Sequence, residues 1–213
     1  MAMQKMDKTT QSKTYLALGD SYTIGEQVAL HESFPYQLVQ LFRKENISFS
    51  AAEIIAKTGW TTGELISHLE EIDLQPVYDF VSLLIGVNNQ YRGQDIKTFQ
   101  KEFETLLQKA IHFAAGNSDH VFVLSIPDWG VTPFASGRNR AQIAKEIDTF
   151  NFICEKQATQ SGVHFINITS AQRINSSLVA GLATDGLHPS ATEYELWAKK
   201  IFQLAVPLLK KDF

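Results

Sequence analysis

Buried-strand patterns and amphipathic-helix patterns alternate along this chain. Tyr15 to Leu18 reads as a short buried strand. FPYQLVQLFRKEN (34–46) then places Leu38, Leu41 and Phe42 on one helical face, with Pro35 suited to the first turn. ISFSAAEIIA (47–56) predicts a second strand, diluted by its alanines and Glu53. Thr61 and Glu64 stand at capping-box spacing, so TTGELISHLE predicts a short helix. YDFVSLLIG (78–86) is the clearest strand, nearly continuous in β-prone residues and ending in glycine. DIKTFQKEFETLLQKAIHFAA (95–115) predicts a helix with an inner stripe of Ile96, Phe99, Phe103, Leu106, Leu107 and Ala110. HVFVLSI (120–126) predicts a fourth strand, residues 138–160 a long helix, and VHFINI (163–168) a fifth strand. Ser190 with Glu193 repeats the capping box and opens a final helix carrying Leu196, Trp197, Ile201, Phe202 and Leu204.

Strands apolar on both faces belong to parallel sheets covered by helices. The alternation therefore predicts an α/β protein, a three-layer α/β/α sandwich around a five-stranded parallel sheet. No internal repeat or low-complexity linker interrupts it, which predicts one domain over residues 15–213. The polar segment MAMQKMDKTTQSKT (1–14) is expected to be flexible. In such sheets ligands bind at the carboxyl ends of the strands. Ser21 follows the first strand, Gly59 the second and Asn88 the third, so the pattern places all three at one edge.

Composition narrows the possible partners. A chain of 213 residues with 44% hydrophobic residues can bury a core without a metal or disulfide staple. The net charge of −4 offers no basic stripe for a phosphate backbone, which argues against nucleic acid. Cys154 is the only cysteine, so neither an intramolecular disulfide nor a Cys-rich zinc site can form. His31, His68, His112, His120 and His164 show no metal-ligand spacing, and neither metal nor cofactor is expected. No apolar run reaches the length of a transmembrane span, and the first residues lack the apolar stretch of a secretory signal. A cytoplasmic location is the resulting expectation.

Gly19-Asp20-Ser21 taken alone is ordinary turn chemistry, and serine is a weak nucleophile without a base. TDGLHPSATEYE (184–195) supplies a candidate base. Its spacing lets Asp185 hold one imidazole nitrogen of His188 while the other faces outward to take a serine proton. Acyl transfer also needs donors aimed at a developing oxyanion. The side-chain amide of Asn88 and the backbone N–H groups of Gly59 and Ser21 are candidates. The Gly-x-Ser-x-Gly elbow, the phosphate-binding Gly-x-x-x-x-Gly-Lys-Ser/Thr loop and the Gly-x-Gly-x-x-Gly fingerprint are all absent from the sequence.

GDS near the N-terminus, the glycine of TGW, GVNN, and DGLHPS near the C-terminus resemble the four blocks of the SGNH (GDSL-type) hydrolase family. They occur in the family's order over residues 19–190. The resemblance implies a flavodoxin-like fold and a metal-free serine esterase. It also implies Ser21 as nucleophile, His188 as base and then acid, Asp185 as its orienting partner, and Ser21, Gly59 and Asn88 as the oxyanion hole. The third block departs from the usual Gly-x-Asn-Asp by carrying Asn89.

The expected substrate is a small carboxylic ester with a short acyl group. An O-acetylated sugar, a lysophospholipid or a thioester remains an alternative, as does a non-catalytic binding module on the same scaffold. Tyr22, Trp60, Tyr91, Trp129 and Phe134 crowd the strand-end loops, where aromatics can line an acyl pocket, stack on a sugar ring or anchor the loops. Arg92 is a candidate contact for a polar leaving group, and Asp20 and Asn89 complete the candidate substrate contacts.

Overall fold

Five strands, β1 (Tyr15–Asp20), β2 (Glu53–Lys57), β3 (Phe80–Leu84), β4 (Val121–Leu124) and β5 (His164–Ile166), lie parallel in one sheet ordered β2-β1-β3-β4-β5. The computed structural model describes residues 12–176 and 179–210. Every residue of β1, β3 and β4 is buried, as expected of central strands sandwiched between helices. β2 and β5 are edge strands with mostly half-buried residues, which explains the weak apolar signal over 47–56. The strand expected there is confined to β2. Residues 47–52 form a loop whose Phe49 bridges Lys13 instead.

The helices are α1 (Ser21–Ile24), α2 (Phe34–Lys44), α3 (Thr62–Glu71), α4 (Val87–Tyr91), α5 (Ile96–Phe113), α6 (Arg140–Gln160), α7 (Thr169–Asn175) and α8 (Ala191–Leu209). α2 packs on α8 over one face of the sheet, while α3, α5 and α6 pack in succession over the other. In α5, Phe99, Phe103, Leu106, Leu107 and Ala110 are buried, and Ile96 is partly buried at the start of the stripe. Among the described residues no helix is long and apolar enough to cross a membrane.

The flexible segment expected over residues 1–14 falls mainly outside the described residues. Where it enters them, Lys13 N–H donates to the Ser48 carbonyl at 2.8 Å and Thr14 N–H to Asp79 at 2.7 Å. Residues 13 and 14 are thus tied to the sheet margin. The short helices α1, α4 and α7 were not legible in the sequence. Each is seven residues or fewer, too short to display a helical repeat.

Gly19 decides how closely the strand ends approach. A Cβ there would lie 2.4 Å from the Leu84 carbonyl oxygen and 2.0 Å from the Thr23 hydroxyl. Only glycine lets α1 turn back this tightly across the end of β3.

The capping box of α3 forms as expected, with Glu64 accepting from Thr61 N–H at 2.8 Å and Thr61 from Glu64 N–H at 3.3 Å. That of α8 is one-sided. Ser190 accepts from Glu193 N–H at 3.3 Å, but the Glu193 carboxylate turns inward. It accepts from Trp197 Nε1–H at 2.9 Å and from Asn175 at 2.8 Å, and the residue is buried. Trp197 and Ile201 of α8 are buried, whereas Leu196 and Leu204 face outward.

Glu193→Ala strands two donors around Trp197 and is expected to lower unfolding free energy by about 2–4 kcal/mol. Glu193→Gln, which keeps an acceptor, is expected to cost less. Urea denaturation of both variants beside the parent checks the difference.

Candidate active site

β1 delivers its last residue, Asp20, as the N-cap of α1, where Asp20 Oδ1 accepts from Tyr22 N–H at 3.0 Å. Ser21 is the first residue of that helix and is almost fully buried. Its Oγ lies 3.0 Å from Nε2 of His188, and Nδ1 of His188 lies 2.6 Å from Oδ2 of Asp185. A carboxylate only accepts, so Nδ1 carries the hydrogen and Nε2 is left to accept from Ser21. Asp185 Oδ1 accepts from the N–H groups of Leu187 at 2.9 Å and His188 at 3.0 Å. This local turn is why a spacing of three suffices: one side chain closes the loop and aims the imidazole. The Tyr22 ring stands 5.1 Å from the imidazole and backs it.

Burial pushes the Asp185 carboxyl up, but the hydrogen bond from His188, the two backbone N–H groups and the nearby imidazole outweigh it. The net effect is a carboxyl held below its usual range. Asp20 behaves oppositely. It is fully buried, and desolvation lifts it to about 7 against the opposing bond from Tyr22 N–H.

Gly59 follows β2 in the left-handed region at φ +84°, a conformation that favours glycine. Asn88 sits on α4, and its Nδ2 donates to the Trp60 carbonyl at 2.9 Å, with Asp20 Oδ2 at 3.5 Å. Arg92 donates to the Gly59 carbonyl at 2.5 Å and pairs with Glu64 at 3.2 Å. The turn at Gly59 and Trp60 is therefore held by two side chains, Asn88 of α4 and Arg92 at its C-terminal cap.

Ser21, Gly59, Asn88 and His188 border a single cavity of about 170 Å³, together with Tyr22, Tyr91, Trp129 and Phe134. Thr58, Val87 and Leu187 complete the lining and were missed from the sequence. Leu187 lies between Asp185 and His188, so the motif itself was the available signal.

Four residues expected to contact substrate lie outside the lining. Asp20 is sealed beneath Ser21 with no exposed surface. Trp60 packs its ring 4.8 Å from His68. Asn89 is fully buried, accepting from Thr62 N–H at 3.1 Å and donating to Thr62 Oγ1 at 2.5 Å and to Gln94. Successive helical residues point about 100° apart, so Asn88 faces the cavity while Asn89 ties α4 to α3. Arg92 is committed to Gly59 and Glu64. Among the described residues no group of three His, Cys, Asp or Glu side chains is placed to hold a metal ion.

The model of the GDSL-like lipase/acylhydrolase family matches residues 17–196. No curated protein sequence matches the chain. Among solved structures, TesA aligns with a TM-score of 0.72 at 18% identity, covering 92% of this chain and 99% of its own. The acetylxylan esterase Axe2 from Geobacillus stearothermophilus aligns at 0.68 and 17% identity, covering 91% and 94%. The psychrotrophic esterase EstA from Pseudoalteromonas sp. aligns at 0.67 and 17% identity, covering 93% and 100%. At these identities the likeness speaks for the fold.

The Asp20 shift makes a stability prediction. Between about pH 4 and 7 the folded chain retains a proton that the unfolded chain has lost, so stability falls as pH rises through that window. Asp20→Asn keeps an N-cap acceptor and removes the burden. Its stability advantage over the parent is expected to grow to about 4 kcal/mol above pH 7 and to vanish toward pH 4. Urea denaturation across that range measures it.

Proposed function

The chain belongs to the GDSL-like lipase/acylhydrolase family and is a serine ester hydrolase; on that footing we propose that Ser21, His188 and Asp185 cleave short-acyl carboxylic esters through an acyl-enzyme. The observation that carries this reading is the unbroken line of hydrogen bonds, 2.6 Å and 3.0 Å long, from Asp185 through His188 to Ser21 at the wall of a cavity.

In the first half-reaction His188 Nε2 takes the Ser21 proton as Oγ attacks the ester carbonyl carbon. The carbonyl electrons move onto oxygen, which the N–H groups of Ser21 and Gly59 and the amide of Asn88 are proposed to receive. The Asn88 amide nitrogen carries two hydrogens: one bonds the Trp60 carbonyl at 2.9 Å, and the other, held only by a long 3.5 Å contact to Asp20 Oδ2, is the one proposed to turn to the oxyanion. Collapse expels the alkoxide, which leaves as the alcohol with the proton from His188. Water then repeats the cycle: His188 takes its proton, hydroxide attacks the acyl carbon, and Ser21 regains its hydrogen as the acid departs. Asp185 stays ionised and steadies the imidazolium formed in each half. Its lowered carboxyl suits that part, because it remains charged in mildly acidic solution.

A non-catalytic binding module gains no support from this arrangement, since nucleophile and base stand at hydrogen-bonding distance.

Purified protein is expected to release p-nitrophenol from its acetate ester, and Ser21→Ala to abolish the release. Asn88→Ala is expected to lower turnover about 10²- to 10³-fold, about 2.7–4 kcal/mol of transition-state stabilisation. Equal rates for parent and Ser21→Ala, with no labelling of Ser21 by a fluorophosphonate, would overturn the assignment.

A further inference from the structure

Resting on that reading, we propose that the cavity beside Ser21 is an acyl pocket for an apolar group of up to about six carbons. In it Trp129 forms the selective wall and Gln90 acts as the residue that positions it.

Trp129, Tyr91 and Phe134 come from two separate segments yet meet beside the nucleophile. Trp129 meets Tyr91 edge-on at 5.2 Å and Phe134 at 6.0 Å, and the latter two rings stand 6.2 Å apart. All three line the cavity that Ser21 borders. The chemistry of that wall is set by the indole nitrogen. Nε1–H of Trp129 donates to Oε1 of buried Gln90 at 2.7 Å. Gln90 in turn donates to Glu146 at 2.7 Å, whose other oxygen accepts from Gln142 at 2.8 Å. The one polar group of the indole is consumed inside the protein, so the ring offers the cavity only apolar surface. A sugar hydroxyl would lose water there and find no partner on Trp129.

The wall is also rigid. Asp128, fully buried, accepts from Gly130 N–H at 2.8 Å and from Arg173 at 2.8 Å, while Arg173 also pairs with Asp148 at 2.8 Å. Phe134 N–H donates to the Gly186 carbonyl at 3.2 Å, which joins the aromatic loop to the turn holding Asp185 and His188.

Size follows from volume. An enclosed apolar cavity of about 150 Å³ holds benzene, a six-carbon group, and this one, open at a rim of half-exposed Tyr91 and Phe134, measures about 170 Å³, which sets a similar upper bound. The acyl portion is the natural occupant. It stays bonded to Ser21 through both half-reactions, whereas the alcohol must leave before water attacks.

The test is kcat/KM for p-nitrophenyl esters from acetate to decanoate, with Ser21→Ala subtracted. The expected profile rises up to about fourfold per methylene, the equivalent of about 0.8 kcal/mol each, to a maximum near hexanoate, and falls at decanoate. Trp129→Ala is expected to move the maximum to longer chains. Phe134→Ala, at a half-exposed position that leaves folding intact, is expected to do the same if the tryptophan variant does not fold. Gln90→Leu frees the indole and is expected to flatten the profile, mainly through KM, while Ser21 still reacts with a fluorophosphonate. Ser21-dependent turnover that is flat or greatest for acetate would overturn the pocket and leave the esterase reading standing. So would a maximum that none of the three variants moves. Absence of Ser21-dependent turnover for every ester, with no labelling of Ser21, would overturn both.

Discussion

The 3.0 Å approach of Ser21 Oγ to His188 Nε2 joins side chains 167 positions apart, and the fold around it is arranged so that the two stay in register. Ser21 stands at the end of a fully buried strand, and His188 just before the last helix. What holds them together is largely apolar. Tyr22 lies between the imidazole, at 5.1 Å, and Trp197 of α8, at 6.5 Å. Trp197 also meets Phe34 of α2 at 6.2 Å, and Gln37 of α2 donates to the Ala191 carbonyl at 2.9 Å. The alignment of Ser21 with His188 is thereby built into the packing of α2 on α8. A shift of an ångström in that packing would stretch the contact beyond hydrogen-bonding distance.

The sheet order explains the rest of the site's location. The order in which strands are added reverses between β1 and β3, and the crevice outside their carboxyl ends is where parallel sheets accept ligands. β1 brings Ser21 to that crevice, β3 brings Asn88, and the neighbouring β2 brings Gly59. Each is followed by a short turn or helix that returns the chain before it can cover the opening.

Two aspartates at this site respond oppositely to burial. Asp185 is partly buried but receives three hydrogen bonds, and it is held ionised beside the imidazole. Asp20 is sealed with one backbone donor and a 3.5 Å contact to Asn88, and desolvation dominates. Residue type alone does not separate them. The depth of burial, together with the donors that reach each carboxylate, does.

Much of this was open to a reader of the sequence. The buried runs of β1, β3 and β4, the inner stripe of α5 and the cap of α3 follow from periodicity and local chemistry, because their causes lie within a few residues of themselves. The spacing of Asp185 and His188 was legible for the same reason: the turn that joins them is local. Other features are decided by neighbours remote in the chain. Asn88 and Asn89 are chemically identical and adjacent, yet one reaches the cavity and the other is spent on Thr62. Trp129 lines the cavity while Trp60 packs against His68, and only a contact with distant Gln90 gives the first its apolar face. Glu193 carries the spacing of a capping box, but Trp197 and Asn175 draw its carboxylate into the core. The sequence by itself determined the main strands and long helices and the residue types gathered at the strand ends, because hydrophobic period and turn chemistry act locally. Tertiary structure alone decided which polar group faces the cavity and which is used up inside, because a hydrogen bond goes to whatever partner the fold brings within about 3 Å.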